Sequence, residues 1–221
     1  AIGLVGSEMC IRDRIKNVDI GKPGQNEVLV KNLSIGINYI DTYHRSGLYP
    51  IPLPSGIGLE ACSIIEEVGS EVKLFKVGDR VTRASMPIGT YSEKQIIPED
   101  KLVKVPDNIS DEVASCITLK GITAEYLLHR TYQVKKGDKI LYHAAAGALG
   151  QIFCPWANAL GAEIIGTVGS DEKIEIAKKN GCHHVINYNE KNFVEEVEKI
   201  VGKNGLDVVC LLYTSPSPRD Q

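Results

Sequence analysis

The chain has 221 residues, 43% hydrophobic and 24% charged, which is the composition of a globular protein with a sizeable core. Its net charge of −3 argues against a broad nucleic-acid-binding face, and no apolar run reaches the length of a membrane span. The six cysteines include no CxxC pair, and the N-terminus lacks the layout of a secretory signal. We therefore expect reduced thiols in a cytoplasmic protein.

The two ends of the chain, residues 1–14 and 210–221, do not fit the sequence between them. One short DNA encodes Leu4–Arg14 on one strand and Cys210–Arg219 on the other, and it resembles a transposon-type sequencing adapter. We expect both segments to be non-native and the chain to be a truncated fragment, so they are excluded from fold reasoning. We also expect the polypeptide as written to fold poorly and to be inactive, and the function predicted below is that of its gene.

The first part of the insert, residues 15–109, has the pattern of a small β domain. Residues 27–41 alternate apolar and polar side chains like a half-buried strand. Glycines and prolines then separate short strand candidates, which are CSIIEEVG, DRVTRAS, TYSEKQIIP and KLVKVP. Short strands between such turns predict a barrel-type β domain, incomplete in this chain.

The second part, residues 110–209, alternates helices and strands. A helix is predicted from Ser110 to Thr131, with its N-terminal cap at Ser110. Strand, helix, strand, helix, strand, helix and strand follow between Lys139 and Val209. This α/β order predicts a Rossmann-type, doubly wound parallel sheet that stops at about its fourth strand.

A loop of small residues, AAGALG at 145–150, follows the strand KILYHAA and opens the next helix. Gly147 would let the backbone approach a pyrophosphate, Gly150 would permit close helix–strand packing, and the helix N-terminus would offer unpaired N–H groups. Because the pattern lies in a βαβ unit of the right length, it predicts a dinucleotide-binding loop. From the residues alone, a tight turn without a ligand is the alternative.

The end of the second strand of this unit carries no acidic residue inside the strand. NAD sites usually place an acid there to hold the ribose hydroxyls, whereas Ser170 and Lys173 can meet a 2′-phosphate as a hydrogen-bond donor and a cation. Asp171 weakens this distinction, because it places an acid only one residue after Ser170. The alternative for Lys173 is that it is an ordinary exposed lysine on a helix. The residues favour NADPH over NADH.

Together these motifs resemble the quinone oxidoreductases of the zeta-crystallin type, in the medium-chain dehydrogenase/reductase superfamily. The resemblance covers nearly all of residues 27–209, and its most specific stretches are GINYIDTYHRSGLYP, LPSGIGLEA, LKGITA, HAAAGALGQ, GTVGSDEK and VINY. It implies a GroES-like β domain and a Rossmann domain, with NADPH and a quinone in the cleft between them. It also implies that the full-length protein is a homodimer.

The resemblance assigns roles to individual residues. Asn38, Tyr43 and Tyr49 would line the cleft. The two tyrosines are the candidate catalytic residues, with ring packing in a Gly/Pro-rich loop as the alternative for both. Thr123 would lie near the nicotinamide. The expected cofactor contacts are Asn38, Thr123, Gly147, Ala148, Leu149, Gly169, Ser170, Lys173 and Tyr188.

No zinc site is expected. Zinc-dependent relatives carry Cys where this chain has Asn38, His where it has Leu59, and a four-cysteine lobe that the sequence lacks. Tetrahedral zinc needs about four such ligands. Structural roles are expected for the scattered thiols and imidazoles, which are Cys62, Cys116, Cys154, Cys182, His143, His183 and His184.

The implied chemistry is hydride transfer from nicotinamide C4 to a quinone, with the protein supplying orientation and an apolar cleft. Tyr43 or Tyr49 could hydrogen-bond the acceptor oxygen as charge develops there. One alternative is an NADPH-dependent enone or enoyl reductase, and another is a non-catalytic crystallin-like or RNA-binding protein. The expected partner is a small-molecule quinone or enone, with no nucleic acid and no membrane.

Overall fold

A computed structural model describes residues 2–6 and 14–210, and it divides the chain into two compact units, residues 1–119 and 120–221. The division falls within a helix, later in the chain than the boundary expected near residue 110. The first half of that helix bonds to the first unit, because the Thr82 hydroxyl donates to the Ala114 carbonyl at 2.9 Å and the Ser34 and Ser115 hydroxyls are 2.9 Å apart.

The first unit is built around an antiparallel sheet of five strands in the order β7-β3-β5-β6-β8. A smaller sheet has the order β2-β1-β4. The elements are β1 (Ile2–Gly6), β2 (Arg14–Asn17), β3 (Glu27–Gly36), α1 (Tyr39–Ser46), β4 (Ser55–Gly56), β5 (Glu60–Val68), β6 (Arg80–Ala84), β7 (Lys94–Pro98) and β8 (Val103–Lys104). The core side chains of the larger sheet are Val28, Val30, Ile65, Val81, Ile97 and Leu102.

The strand predicted over residues 27–41 is wrong in its last part. β3 ends at Gly36, and α1 begins at Tyr39 after Asn38 in an extended N-cap conformation. The reason is a local hydrogen bond that the alternating pattern conceals: the carboxylate of Asp41, the third helical residue, accepts from the Asn38 backbone N–H at 2.9 Å. The helix ends at Ser46, and its C-cap residue Gly47 has a φ of 75°.

The second unit contains a parallel sheet of four strands in the order β11-β10-β9-β12. This is the order 3-2-1-4 of a Rossmann half, with α3 and α4 packed into one hydrophobic cluster and α5 into another. The elements are β9 (Lys139–Tyr142), α3 (Gly150–Ala159), β10 (Glu163–Val168), α4 (Glu172–Lys179), β11 (His184–Asn187), α5 (Phe193–Val201) and β12 (Val208–Cys210). The predicted α/β fold class is confirmed.

The helix predicted from Ser110 is also confirmed, with one change at its end. It is α2 (Asp111–Tyr126), followed by a π-helical turn at Leu127–Thr131. The Val113 N–H donates to the Ser110 hydroxyl at 3.3 Å, as the predicted cap requires. Among the residues described, no helix is long and apolar enough to cross a membrane.

Most of the two terminal segments expected to be non-native lies outside the described residues, namely residues 1, 7–13 and 211–221. In the described part, Ile2–Gly6 pairs with Arg14–Asn17, and Cys210 is the last residue of β12. Backbone pairing does not depend on which DNA encoded a segment. The adapter origin of these ends therefore stays a prediction.

Candidate functional site

The predicted dinucleotide loop leads from β9 into α3. Its first turn is closed by the Gly147 N–H, which donates to the Ala144 carbonyl at 2.8 Å. Helical bonding starts when Gln151 donates to Gly147 at 3.0 Å. Within residues 14–210, no oxygen accepts from the backbone N–H groups of Ala148, Leu149 or Gly150. The loop therefore leaves consecutive donors at the start of a helix, where the macrodipole also favours an anion.

The close packing predicted for Gly150 is present. A Cβ atom on Gly150 would lie 2.4 Å from the Ala145 carbonyl oxygen, so only glycine fits without a backbone shift. One loop feature was not predicted: Ala144 has a φ of 57°, a left-handed conformation that is uncommon for a residue with a side chain. Ala148, in the same loop, has no positive φ.

Three of the predicted cofactor residues lie together at the carboxyl ends of β10 and β11. The Tyr188 N–H donates to the Val168 carbonyl at 3.1 Å and extends the ladder between the two strands. A Cβ on Gly169 would lie 2.6 Å from the Tyr188 hydroxyl, so the absence of a side chain at 169 makes room for that hydroxyl. Ser170 comes next, and its carbonyl accepts from the Lys173 N–H at 3.1 Å as α4 begins. Ligands of open α/β sheets bind outside this end of the strands.

A hydrogen-bond network that the sequence did not suggest holds the side chain of Asp171 in this region. Asn187 is 6% exposed, and its side-chain amide donates to Asp171 Oδ1 at 2.9 Å. The Asn187 Oδ1 accepts from the Asn189 N–H at 3.1 Å, and the Asn189 amide donates to the Gly169 carbonyl at 2.7 Å. The carboxylate that weakened the NADPH prediction therefore has a fixed donor.

In the first unit, Asn38 lies beside a buried carboxylate. Glu60 has no exposed surface, and its Oε2 accepts from the Asn38 amide at 2.8 Å while its Oε1 accepts from the Leu119 N–H at 2.7 Å. Each carboxylate oxygen thus has a donor, which offsets the cost of burying the charge. The Asn38 side-chain amide is therefore held in place by Glu60.

The start of α1 is held by a second buried acid. Asp41 is 4% exposed, and its Oδ2 accepts both from the Asn38 backbone N–H and from the Tyr91 hydroxyl, each at 2.9 Å. Burial, and then the bond to Asp41, raises the pKa of Tyr91 well above its usual value, so its hydroxyl stays protonated and donates. Asp41 and Tyr91 therefore fix the helix that carries Tyr43.

The two candidate catalytic tyrosines lie against each other. The rings of Tyr43 and Tyr49 meet edge to face with centroids 5.3 Å apart, and the Tyr49 N–H donates to the Tyr43 carbonyl at 3.1 Å. Tyr39 continues the row, 5.8 Å from Tyr43, and is 79% exposed. Ring packing, the alternative interpretation, is thus present, and it leaves the 38% exposed Tyr49 with accessible surface.

Within residues 14–210, no group of three or more His, Cys, Asp or Glu side chains is arranged to hold a metal ion. Burial raises the pKa of Cys62 to about 11, and its thiol donates weakly to Asp111 at 3.5 Å. His143 Nδ1 is 2.9 Å from the Thr167 hydroxyl, and burial lowers the pKa of His143. His183 accepts from the Ile164 N–H at 3.0 Å. These side chains have structural partners.

The predicted site residues divide between the two units. Asn38, Tyr43 and Tyr49 lie in the first. Thr123, Gly147, Ala148, Leu149, Gly169, Ser170, Lys173 and Tyr188 lie in the second, where Thr123 is part of α2. The prediction missed Glu60, for which the signal was an acid inside the apolar stretch GLEACSII, and it missed Asn187, for which the sequence gives no signal.

Comparison with known families matches both parts of the chain. Residues 24–107 match the alcohol dehydrogenase GroES-like domain, and residues 148–218 match the domain described as zinc-binding dehydrogenase. The second match continues beyond the residues that the structure describes.

Several similar proteins are named as reductases or quinone oxidoreductases. The chain is 50% identical over 188 residues to quinone oxidoreductase 1 of Escherichia coli, covering 85% of the chain and 58% of that protein. It is 48% identical over 201 residues to a 2-haloacrylate reductase of a Burkholderia species, covering 88% of the chain and 60% of that protein. The structure of Escherichia coli quinone oxidoreductase complexed with NADPH matches with a TM-score of 0.89 at 45% identity, covering 95% of this chain and 65% of that one. The chain thus spans about three fifths of the length of these curated relatives.

Proposed function

We propose that this chain's protein is an NADPH-dependent quinone reductase of the medium-chain dehydrogenase/reductase superfamily, a proposal supported by its two family matches and by its similarity to quinone oxidoreductases. The observation that carries the proposal is the loop at 144–150. The backbone N–H groups of Ala148, Leu149 and Gly150 lack an acceptor among residues 14–210. Gly150 itself lies where strand and helix pack too closely for a side chain. Both features suit a bound pyrophosphate.

The residues present also fit the adenosine 2′-phosphate of NADPH. Ser170, Lys173 and Tyr188 offer two hydroxyls and an ammonium group at the carboxyl ends of neighbouring strands, which suits a 2′-phosphate. The bare Cα of Gly169 leaves room beside the Tyr188 hydroxyl. We assign Gly147, Ala148 and Leu149 to the pyrophosphate, these residues to the adenosine, and Thr123 to the nicotinamide.

When bound, NADPH supplies the hydride, and the chain's own residues bind and orient the reactants. The Asn38 side-chain amide is held in place because its Nδ2 group donates to the Glu60 carboxylate. Asp41 and Tyr91 hold the helix from which the Tyr43 ring projects. In this proposal Tyr43 or Tyr49 donates a hydrogen bond to the acceptor oxygen as negative charge develops on it.

The test is quinone-dependent oxidation of NADPH by the protein expressed from its complete gene. We expect turnover with a quinone and faster turnover with NADPH than with NADH. Tyr43→Phe and Tyr49→Phe form a matched pair, and the tyrosine that donates to the acceptor should lose at least tenfold in kcat on loss of its hydroxyl. Unchanged kcat in a variant removes that tyrosine from the mechanism.

A second candidate activity is reduction of an activated carbon–carbon double bond. It is favoured by the similarity to the 2-haloacrylate reductase, which matches as well as the quinone oxidoreductases do. A quinone and an enone both accept hydride at an electron-poor conjugated carbon, so one site can serve either. The comparison of kcat/KM for quinones, enones and 2-haloacrylates, all with NADPH, decides between them. Inertness toward every acceptor, with tight, salt-sensitive RNA binding in a filter assay, would instead support the non-catalytic alternative.

A further inference from the structure

Asp171 poses a problem for an NADPH site. It lies three residues after the end of β10, the second strand of the βαβ unit, and it is exposed. An acid near this point normally accepts from the ribose hydroxyls of NAD and repels the 2′-phosphate of NADPH. Lys173 is only two residues away, so the carboxylate is close in the chain to a proposed phosphate ligand.

The position of the Asp171 carboxylate is set by Asn187. The Asn187 amide donates to Asp171 Oδ1 at 2.9 Å, and Asn187 itself is 6% exposed at the end of β11. Its amide cannot simply turn over, because its Oδ1 already accepts from the Asn189 N–H at 3.1 Å. The donor end of the amide therefore always faces the carboxylate.

The same turn presents Tyr188 in a different direction. Asn187 is the last residue of β11, and Tyr188 is the first residue of the turn that follows it. Asn187 is buried against Asp171, whereas Tyr188 is 50% exposed with its hydroxyl beside Gly169. The acid and the proposed phosphate ligand are thus held apart by adjacent residues of one strand end.

We propose that Asn187 is a specificity-determining residue, which secures the preference for NADPH over NADH by holding the Asp171 carboxylate away from the ribose 2′ position. This inference rests on the proposed function, since it concerns the same nucleotide site. Without the Asn187 donor, Asp171 is free to accept from a ribose hydroxyl or to repel a 2′-phosphate. Loss of Asn187 therefore weakens NADPH binding and preserves or strengthens NADH binding.

The experiment is a double-mutant cycle on the protein expressed from its complete gene, with Asn187→Leu, Asp171→Ala and the double variant. The measured quantity is the ratio of the dissociation constants for NADH and NADPH, obtained by calorimetric titration without a quinone. Asn187→Leu should lower this ratio by about three- to fivefold, the effect of one surface charge. In the Asp171→Ala background, Asn187→Leu should leave the ratio unaltered. This comparison separates the effect of releasing the Asp171 carboxylate from the effect of losing the hydrogen bond between Asn187 and Asn189.

An unchanged ratio in Asn187→Leu, or an equal fall in both backgrounds, overturns the inference while NADPH binding by the unmodified protein still supports the proposed function. If the unmodified protein binds neither nucleotide, the proposed function fails and the inference fails with it. Thermal unfolding of all four proteins shows whether any variant has lost its fold. A variant that is folded and has lost affinity for both nucleotides equally also contradicts the inference.

Discussion

Replacing Gly150 by alanine should disrupt the packing between the start of α3 and the residues that follow β9. The new Cβ would lie 2.4 Å from the Ala145 carbonyl oxygen and 2.7 Å from its carbon, so the start of α3 must move by about 1 Å to reach ordinary contact. The helix cannot move freely, because Phe153 and Ala157 are buried in the core of the second unit. Overpacking of this kind costs about 1–3 kcal/mol, and we expect Gly150→Ala to lose about 2 kcal/mol.

The only tryptophan in the sequence, Trp156, lies in α3 and reports unfolding of this unit by fluorescence. With a urea slope of about 2 kcal/mol per molar, the midpoint of Gly150→Ala should fall by about 1 M. The matched control is Gly121→Ala: Gly121 lies in the interior of α2, and within residues 14–210 its new Cβ would have no atom within 4 Å other than those of its chain neighbours and of the helix's own backbone. That variant should be unchanged or gain about 0.5–1 kcal/mol from helix propensity. Equal midpoints for Gly150→Ala and the unmodified protein would refute the packing argument.

Three further predictions test buried groups. The Tyr142 hydroxyl is buried without a partner among residues 14–210, so Tyr142→Phe should raise the melting temperature, with a gain of about 1 kcal/mol; a lower melting temperature would show that the hydroxyl is bonded. Glu60→Gln places an amide N–H₂ against the donor of Asn38 or of Leu119 and should cost about 1–3 kcal/mol in urea unfolding, whereas an unchanged midpoint would mean that the carboxylate is not needed. Burial lowers the pKa of His143, so the folded state resists its protonation, and stability is full above the ordinary value of 6.5 and falls as the pH drops below it. The loss of stability between pH 7.5 and about pH 5.5 should therefore be smaller in His143→Gln, and an equal loss would contradict this.

The second unit could be predicted closely from sequence because its signals are local. Strand and helix periodicities differ, each turn carries a glycine or a polar cap, and the order of elements determines a parallel sheet. The end of β3 could not be predicted in this way. Residues 36–41 alternate like a strand, and only the bond from the Asn38 N–H to Asp41 turns them into a helix start.

The missed parts of the site depend on contacts between distant residues. Asn38 and Glu60 are 22 residues apart, and Asp171 and Asn187 are 16 apart. No local pattern links either pair, since hydrogen bonds of this kind are fixed by strand order and register. The resemblance to a family gave the positions expected to contact the cofactor, but it did not give the residues that hold those positions in place.

The central claim is tested most directly by mixing the protein, expressed from its complete gene and treated with a chelator, with NADPH and a quinone. The measurement is the rate of NADPH oxidation by absorbance, with and without the quinone, and again with NADH. We predict quinone-dependent oxidation that survives chelation and is faster with NADPH. The absence of oxidation with quinones, or its loss on chelation, would contradict the account.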